Sequence, residues 1–125
     1  MVTASKKRVL IVEDERPLAH ALELKLQHEG CETTVASNGQ VALELIEAGG
    51  FDVVLLDMMM PVMDGFQVLQ HLREDLGADN MPVIFVLSNL SQREDEQRVI
   101  EAGAAKYFIK SNTPLAVIVE EVKQL

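Results

Sequence analysis

The amino-acid sequence predicts an α/β fold, a doubly wound parallel sheet with helices on both of its faces. Short apolar runs rich in β-branched residues alternate five times with longer amphipathic stretches, and this alternation of strand and helix is typical of α/β domains. The runs VVLL and VIFVL contain no polar residue, as expected of strands that helices cover on both faces. With 125 residues, 48% of them hydrophobic, the chain has the size and apolar content of one globular domain.

The first half of the chain contains three predicted strands and two predicted helices. The strands are RVLIVE (8–13), TTVA (33–36) and FDVVLLD (51–57), and the helices cover residues 16–29 and 38–48. Each helix is followed by glycine, at Gly30 and at Gly49 and Gly50, which is the usual residue just beyond a helix end.

The second half repeats this alternation, with a helix over 65–76, the strand PVIFVLS (82–88), a helix over 91–102, the strand KYFIK (106–110) and a last helix from 114. Capping patterns mark the helix starts: Asp64, Ser91 with Glu94, and Thr113 followed by Pro114. Gly103 follows the fourth helix. Residues 1–7 are expected to form a flexible tail, so the domain is expected to cover residues 8–125.

Charge and composition exclude several classes of protein. The formal net charge of −9 opposes direct binding to nucleic acid, which proteins achieve with clustered Lys and Arg. Cys31 is the single cysteine, so no internal disulfide requires an oxidising compartment. No stretch reaches the roughly 20 apolar residues of a membrane span. We therefore expect a cytoplasmic protein that contacts neither membrane nor nucleic acid directly.

Polar residues stand where the predicted strands end. These are Glu13 and Asp14, Asp57, Ser88, and Lys110. In open α/β sheets, ligands bind beyond the carboxyl ends of the strands. If the first and third strands are neighbours, three carboxylates converge, and two unit charges about 4 Å apart repel by about 4 kcal/mol at an effective dielectric of 20. Magnesium suits such a cluster, and a lysine with a hydroxyl beside it would complete a pocket for a phosphoryl group.

These residues resemble those of a known family, the receiver domains of bacterial two-component response regulators, including the chemotaxis regulators. The resemblance covers essentially the whole chain. It is based on the acidic pair Glu13 and Asp14, the pattern LLDMMMPVMDG around Asp57, Ser88, Lys110, and the aromatic Tyr107 three residues before that lysine.

The resemblance implies a flavodoxin-like fold with strand order 2-1-3-4-5. It also implies a phosphorylation-activated signalling switch, which accepts a phosphoryl group from a phosphohistidine of a histidine kinase or histidine phosphotransfer protein. Such a receiver is not a conventional enzyme, although it catalyses its own phosphotransfer and a slow autodephosphorylation. Its downstream partner would be an effector protein or an output domain absent from this chain. The receiver would be a monomer or a weak, phosphorylation-dependent dimer.

The resemblance also implies a role for each site residue. Asp57 would be the phosphoacceptor, and the cofactor would be Mg²⁺, held by Asp14, Asp57 and the backbone carbonyl of Met59, with Glu13 acting through water. Lys110 and Ser88 would hold phosphoryl oxygens. Ser88 and Tyr107 would act as the switch that changes the surface of helix four, strand five and helix five.

The sequence departs from the family pattern at a few positions. Ser111 follows Lys110 where the family usually has a cis proline, and a cis bond without proline costs about 2.5–4 kcal/mol. The isomer of this peptide bond is therefore left open. Asn89 replaces a very small residue, and Met59 and Leu90 are apolar at positions that in the family tune phosphoryl lifetime. We predict that they restrict the hydrolytic water, so that the phosphoryl group decays slowly.

The alternative functions are an interaction module, a phosphatase and a nucleotide-binding domain. A phosphate-independent interaction module with a vestigial acidic pocket stays open because of Ser111 and Asn89. A related metal-dependent phosphatase predicts a second acid two residues after Asp57, but Met59 stands there and no general acid serves the leaving group. A nucleotide-binding domain is disfavoured, since no dinucleotide fingerprint or P-loop follows the first strand.

Overall fold

The computed structural model describes residues 6–89 and 93–125, and within them five strands alternate with five α-helices. The strands are β1 (Arg8–Val12), β2 (Glu32–Ala36), β3 (Val53–Asp57), β4 (Val83–Ser88) and β5 (Lys106–Ile109). The helices are α1 (Arg16–His28), α2 (Gly39–Ala48), α3 (Gly65–Leu76), α4 (Arg93–Glu101) and α5 (Leu115–Lys123), with short 3-10 turns at Ala78–Asn80 and Lys110–Asn112.

The five strands form one parallel sheet in the order β2-β1-β3-β4-β5, which confirms the predicted fold and strand order. The register determines where the site lies. Val12 pairs with Leu56 across β1 and β3, so the residues that follow them, Glu13 and Asp57, lie at the same carboxyl edge. Ser88 pairs with Ile109 across β4 and β5, which brings Lys110 to that edge as well.

Apolar side chains form a core on each face of the sheet, because alternate strand residues point to opposite sides. On one face, Leu10 and Val12 of β1 join a cluster with buried residues of α2, α3 and α4. On the other face, Val9 and Ile11 join a cluster with buried residues of α1 and α5. All five residues of β3 are buried, as predicted for a strand covered by helices on both sides.

The largest differences from the sequence prediction lie between β5 and α5. Strand β5 ends at Ile109, and Lys110 begins the 3-10 turn. The predicted cap at Thr113 is wrong, because Pro114 occupies the N-cap position with an extended backbone, at φ −60° and ψ 145°, and no side chain caps the helix. Thr113 is itself extended, as residues before proline usually are. No cis peptide bond occurs in the described ranges, so the Lys110–Ser111 bond is trans.

Asp64 caps helix α3 as predicted, and it does so within a capping box that also involves Gln67. The Asp64 Oδ1 accepts a hydrogen bond from the Gln67 backbone N at 2.9 Å, and the Gln67 Oε1 accepts one from the Asp64 N at 3.0 Å. The prediction for Ser91 lies outside the described residues, as do those for Leu90 and residues 1–5. None of the described helices is of a length and apolarity that would span a bilayer.

Lys7, which the sequence assigns to the N-terminal tail, is attached to the domain. Its Nζ donates hydrogen bonds to the carbonyls of Val122 at 3.0 Å and Leu125 at 2.7 Å, and its own carbonyl accepts from Glu32 N at 2.9 Å. Helix ends leave carbonyls without partners inside the helix. Lys7 therefore caps the end of α5, and the domain limit at residue 8 stays a prediction.

Candidate functional site

Three carboxylates meet at the carboxyl edge of the sheet. Glu13 follows β1 and Asp57 is the last residue of β3, and their exposed fractions are 2% and 3%. Asp14 is exposed to solvent. One carboxylate oxygen from each of the three residues lies within 4.8 Å of the others. The structure thus brings together the acids that the sequence assigned to a cation site.

Lys110 reaches into this cluster from the turn after β5. Its Nζ lies 2.8 Å from the Oε2 of Glu13 and 3.2 Å from the Oδ2 of Asp57. The Oε2 of the exposed Glu15 lies 3.7 Å from the same Nζ. Sequence reasoning missed Glu15, although it directly follows the acidic pair. The lysine therefore balances part of a cluster of four carboxylates.

Burial and like charge act together on Glu13. The pKa of Glu13 is raised to about 7: burial is the largest cause, the contact with Lys110 opposes it, and the negative charge of Asp57 adds to the rise. For Lys110, burial alone would lower the pKa, but its contacts with Glu13 and Asp57 outweigh burial and raise it. Lys110 is therefore charged at neutral pH, and a cation near the three carboxylates would favour the ionised form of Glu13.

The loop after β3 holds the Asp57 side chain in place. The Asp57 Oδ1 accepts a hydrogen bond from the Met59 backbone N at 3.2 Å. The Gly65 N donates to the Met58 carbonyl at 3.2 Å, so the loop closes tightly. Met58 is buried, whereas 63% of Met59 is exposed. The amide of Met59 thus contacts Asp57, and the metal-binding role of its carbonyl stays a prediction.

An open groove of about 440 Å³ adjoins the acid cluster. It is lined by Asp14, Met58, Met59, Met60, Pro61, Asp64 and Phe66. The sequence did not indicate this groove, because it depends on how the loop after β3 packs against the loop after β1. Within the same loop, Val62 has a positive φ of 70° and is 80% exposed, a strained conformation for a β-branched residue.

Ser88 and Tyr107 lie side by side on the neighbouring strands. Ser88 ends β4 and is fully buried, and Tyr107 on β5 is half-buried. Burial raises the pKa of Tyr107, and a side-chain hydrogen bond with Ser88 lowers it. Asp57 pairs with Leu87 across β3 and β4, so Ser88 follows directly beside the acid cluster. The structure therefore links the predicted switch pair to each other next to Asp57.

Comparisons with known proteins agree with this geometry. The model of the response regulator receiver domain family matches residues 9–123, which confirms the resemblance read from the sequence. Among solved structures, the receiver domain of the Francisella response regulator 1452 is 28% identical and superposes with a TM-score of 0.87, covering 95% of each chain. The response regulator TrrA of Thermotoga maritima, solved with Mg²⁺ and BeF, is 31% identical with a TM-score of 0.79, over 94% of this chain and 97% of TrrA.

Curated relatives are longer than this chain. The sensory transduction protein RegX3 of Mycobacterium tuberculosis is 42% identical over 82% of this chain and 43% of its own length. The uncharacterized transcriptional regulatory protein YkoG of Bacillus subtilis is 35% identical over 84% of this chain and 45% of its own length. The chain thus spans less than half the length of these relatives.

Proposed function

Because the chain belongs to the response regulator receiver domain family, we propose that it is a signalling switch activated by phosphorylation of Asp57. The observation that carries this proposal is the setting of the Asp57 carboxylate. It is buried at the carboxyl edge of the sheet, its Oδ2 lies 3.2 Å from the Lys110 ammonium, and the oxygens of two further acids lie within 4.8 Å. A nucleophile beside a fixed positive charge suits phosphoryl transfer.

In the proposed reaction, a carboxylate oxygen of Asp57 attacks the phosphorus of a phosphohistidine. The O–P bond forms as the N–P bond breaks, and the imidazole leaves with the electron pair and then takes up a proton. Lys110 stabilises the negative charge on the phosphoryl oxygens, and the Ser88 hydroxyl donates a hydrogen bond to one of them. The protein thus supplies mainly position and charge, and it catalyses its own phosphorylation and slow dephosphorylation.

The donor set fits Mg²⁺, which takes oxygen ligands and is usually held by one or two carboxylates. Asp14, Asp57 and the Met59 carbonyl would hold the ion, and Glu13 would act through water. The ion pair of Glu13 with Lys110, at 2.8 Å, supports this indirect role because it occupies one of the Glu13 oxygens. When bound, magnesium would offset the charge of the phosphoryl oxygens.

The proposed output is a change in the surface of α4, β5 and α5. Ser88 would move toward the phosphoryl group and Tyr107 would follow, a coupling supported by the hydrogen bond between them. We expect the NMR signals of Tyr107 to change when Mg²⁺ and beryllofluoride, a phosphoryl analogue, are added. An unchanged Tyr107 environment in the analogue-bound protein would contradict this switch.

The proposed partners follow from the same chemistry. The phosphodonor would be a histidine kinase or histidine phosphotransfer protein, which places the chain in the cytoplasm. The recipient of the signal would be an effector protein or an output domain outside this chain. Several relatives are named as transcriptional regulators, yet the net charge of −9 disfavours direct DNA contact by this chain. Any contact with DNA would therefore come from another part of a longer protein.

The proposal is tested by intact mass after incubation with acetyl phosphate and Mg²⁺. We expect the wild type to gain one phosphoryl group, Asp57→Asn to gain none, and EDTA to prevent the gain. Asp79→Asn is the matched control, because it removes an exposed carboxylate from the Ala78–Asn80 turn. A folded wild type that gains no mass from an active donor would favour a phosphate-independent interaction module instead.

A further inference from the structure

Helix α4 is attached to the domain by little apolar contact. Among its described residues, Val99 alone is buried, whereas α1, α2, α3 and α5 each bury three or four residues. Most residues of its sequence, REDEQRVIE, are charged. Because burial of apolar surface is the main force that holds helices on a sheet, α4 must depend more than the other helices on polar contacts.

Two arginines provide such contacts with the neighbouring helix α3. The Arg98 guanidinium of α4 lies over the Phe66 ring of α3, 4.1 Å from its centre. The Arg73 Nη1 of α3 donates a hydrogen bond of 2.7 Å to the carbonyl of Glu101, the last residue of α4. We call these two contacts, Arg98 on Phe66 and Arg73 on Glu101, the arginine clamp.

The Phe66 end of the arginine clamp also borders the candidate phosphorylation site. Phe66 is the second residue of α3, and it lines the groove beside Asp14 and Met59. The preceding residue, Gly65, is so close to the end of β3 that an added Cβ would lie 2.7 Å from the Asp57 carbonyl oxygen. The start of α3 is therefore packed directly against the backbone of the phosphoacceptor.

We propose that the arginine clamp holds α4 against α3, and that Phe66 makes α4 respond to the occupancy of Asp57. The response of α4 to Asp57 rests on the proposed function, whereas the hold of the clamp on α4 does not. Phe66 would provide a second route from Asp57 to α4, through the loop after β3, in parallel with the pair of Ser88 and Tyr107.

The contacts that hold α4 are individually weak. A cation over an aromatic face is attracted only while it stays near the ring centre, so a shift of Phe66 weakens the contact. A helix with one buried side chain has few other contacts to oppose such a change. A ligand that moves the loop after Asp57 then changes the free-energy difference between α4 positions by the energy of the lost contact.

The first test needs no ligand and measures amide hydrogen exchange of α4. We compare the wild type with Arg98→Gln, Phe66→Leu and the double variant. Loss of the cation–π contact should speed exchange in α4 about fivefold in each single variant. The double variant should exchange no faster than the faster single variant, because both changes remove the same contact.

Arg93→Gln, which alters an exposed arginine of the same helix, is the control and should leave exchange in α4 unchanged. Wild-type exchange rates in both single variants would overturn the proposal that the contact between Arg98 and Phe66 holds α4. So would effects that simply add in the double variant, because they would show that the two residues act separately.

The second test adds Mg²⁺ and beryllofluoride, with the bound analogue followed by fluorine NMR. We expect the wild type to change its exchange in α4, and both single variants to bind the analogue but lose most of that change while the Tyr107 signals still move. A full α4 response in either variant, or none in the analogue-bound wild type, would overturn the route through Phe66. Failure of the wild type to bind the analogue would instead contradict the proposed function, and exchange without ligand would still decide whether the clamp holds α4.

Discussion

At the scale of single residues, Lys110 provides the positive charge that balances the acids of the site. Its ammonium contacts two carboxylates that are almost fully buried, those of Glu13 and Asp57. Removing one partner of a buried ion pair is costly, because the remaining charge has neither water nor a counterion. The same lysine would contact the phosphoryl group, so its loss should affect stability as well as function.

We predict that Lys110→Met lowers the free energy of unfolding by about 3 kcal/mol in metal-free buffer. Since the pKa of Glu13 is about 7 in the folded protein and 4.5 as its ordinary value, ionised Glu13 is disfavoured by folding, and stability falls as the pH rises between these values. Lys110 offsets the cost of ionised Glu13 through their contact at 2.8 Å, and Lys110→Met removes this compensation. The loss of stability in the variant should therefore be larger at pH 8, where Glu13 ionises, than at pH 5, as measured by urea denaturation.

Lys106→Met provides the control for this comparison. Lys106 also pairs with a glutamate, Glu121, but its side chain is 47% exposed, and exposed pairs contribute less than about 1 kcal/mol. Equal losses in the two variants would show that burial of the Lys110 site has no special cost.

Met59 provides a second prediction at this scale. Its apolar side chain is 63% exposed two residues after Asp57. We predict that it restricts the approach of water, so that the phosphoryl group lasts longer than seconds in the wild type. Met59→Asn should shorten its lifetime several-fold, because an amide side chain can hold a water molecule there. Loss of phosphoryl mass with time after removal of the donor measures this lifetime.

The control is Val62→Asn, which places the same amide in an exposed position of the same loop. An equal effect of the two variants would contradict a role for Met59 in excluding water, and a half-life of seconds in the wild type would contradict slow decay itself.

The residues of the site could largely be predicted from the sequence, because the ends of the strands can be predicted. The acids, Ser88 and Lys110 follow apolar runs whose carboxyl ends must share one edge of a parallel sheet. Glu15 was not predictable, because its contact with Lys110 depends on the path of the 3-10 turn after β5. Lys110, the first residue of that turn, was assigned to the end of the strand, because it directly follows the apolar run Tyr107–Ile109.

At the scale of elements, the junction between β3 and α3 is tightly packed. A Cβ at Gly65 would lie 2.7 Å from the Asp57 carbonyl oxygen and 2.8 Å from the Met58 Cα. These are backbone atoms, so no side-chain rotation relieves the overlap. The two segments can accommodate a side chain there only by moving apart.

We predict that Gly65→Ala costs about 1–3 kcal/mol of unfolding free energy and slows phosphorylation, because the backbone that carries Asp57 must shift. Gly39→Ala is the matched comparison. Its Cβ would lie 2.4 Å from the Met63 carbonyl oxygen and 2.7 Å from the Val68 Cγ2, at the start of α2. It should lose comparable stability but retain a near-normal phosphorylation rate once folded. A normal rate in Gly65→Ala would contradict this prediction.

The order and type of the elements followed from hydrophobic periodicity, which is strong in long buried segments. Contacts between elements did not follow from it. Arg73 and Glu101 are far apart in the chain, and nothing in either segment indicates that their helices are neighbours. The end of α3, by contrast, was predicted correctly: the helix expected over 65–76 is the observed Gly65–Leu76, and Gly77, with φ 81°, follows it.

At the scale of the whole molecule, Mg²⁺ can stabilise a protein with a net charge of −9 in two ways, by general screening and by binding at a specific site. Any salt screens repulsion between exposed charges, whereas a specific site adds stability by mass action, about 1.4 kcal/mol when free Mg²⁺ is ten times its dissociation constant. We predict that Mg²⁺ raises the melting temperature more than NaCl does at equal ionic strength. Asp14→Asn should abolish this difference.

Thermal denaturation followed by circular dichroism measures the effect. The variant is suitable because Asp14 is exposed and no described hydrogen bond or ion pair of the fold depends on it. A difference between Mg²⁺ and NaCl that persists in Asp14→Asn would place the cation elsewhere on the molecule.

The bond of Lys7 to the end of α5 has a geometric consequence for signalling over distance. The segments that enter and leave the described domain lie side by side, with 2.7 Å between the Lys7 Nζ and the Leu125 carbonyl oxygen. Both are at the amino edge of the sheet, and β1, five residues long, separates them from the acid cluster by about 16 Å. The point of attachment of a domain fused at either segment would therefore lie a full sheet height away from Asp57.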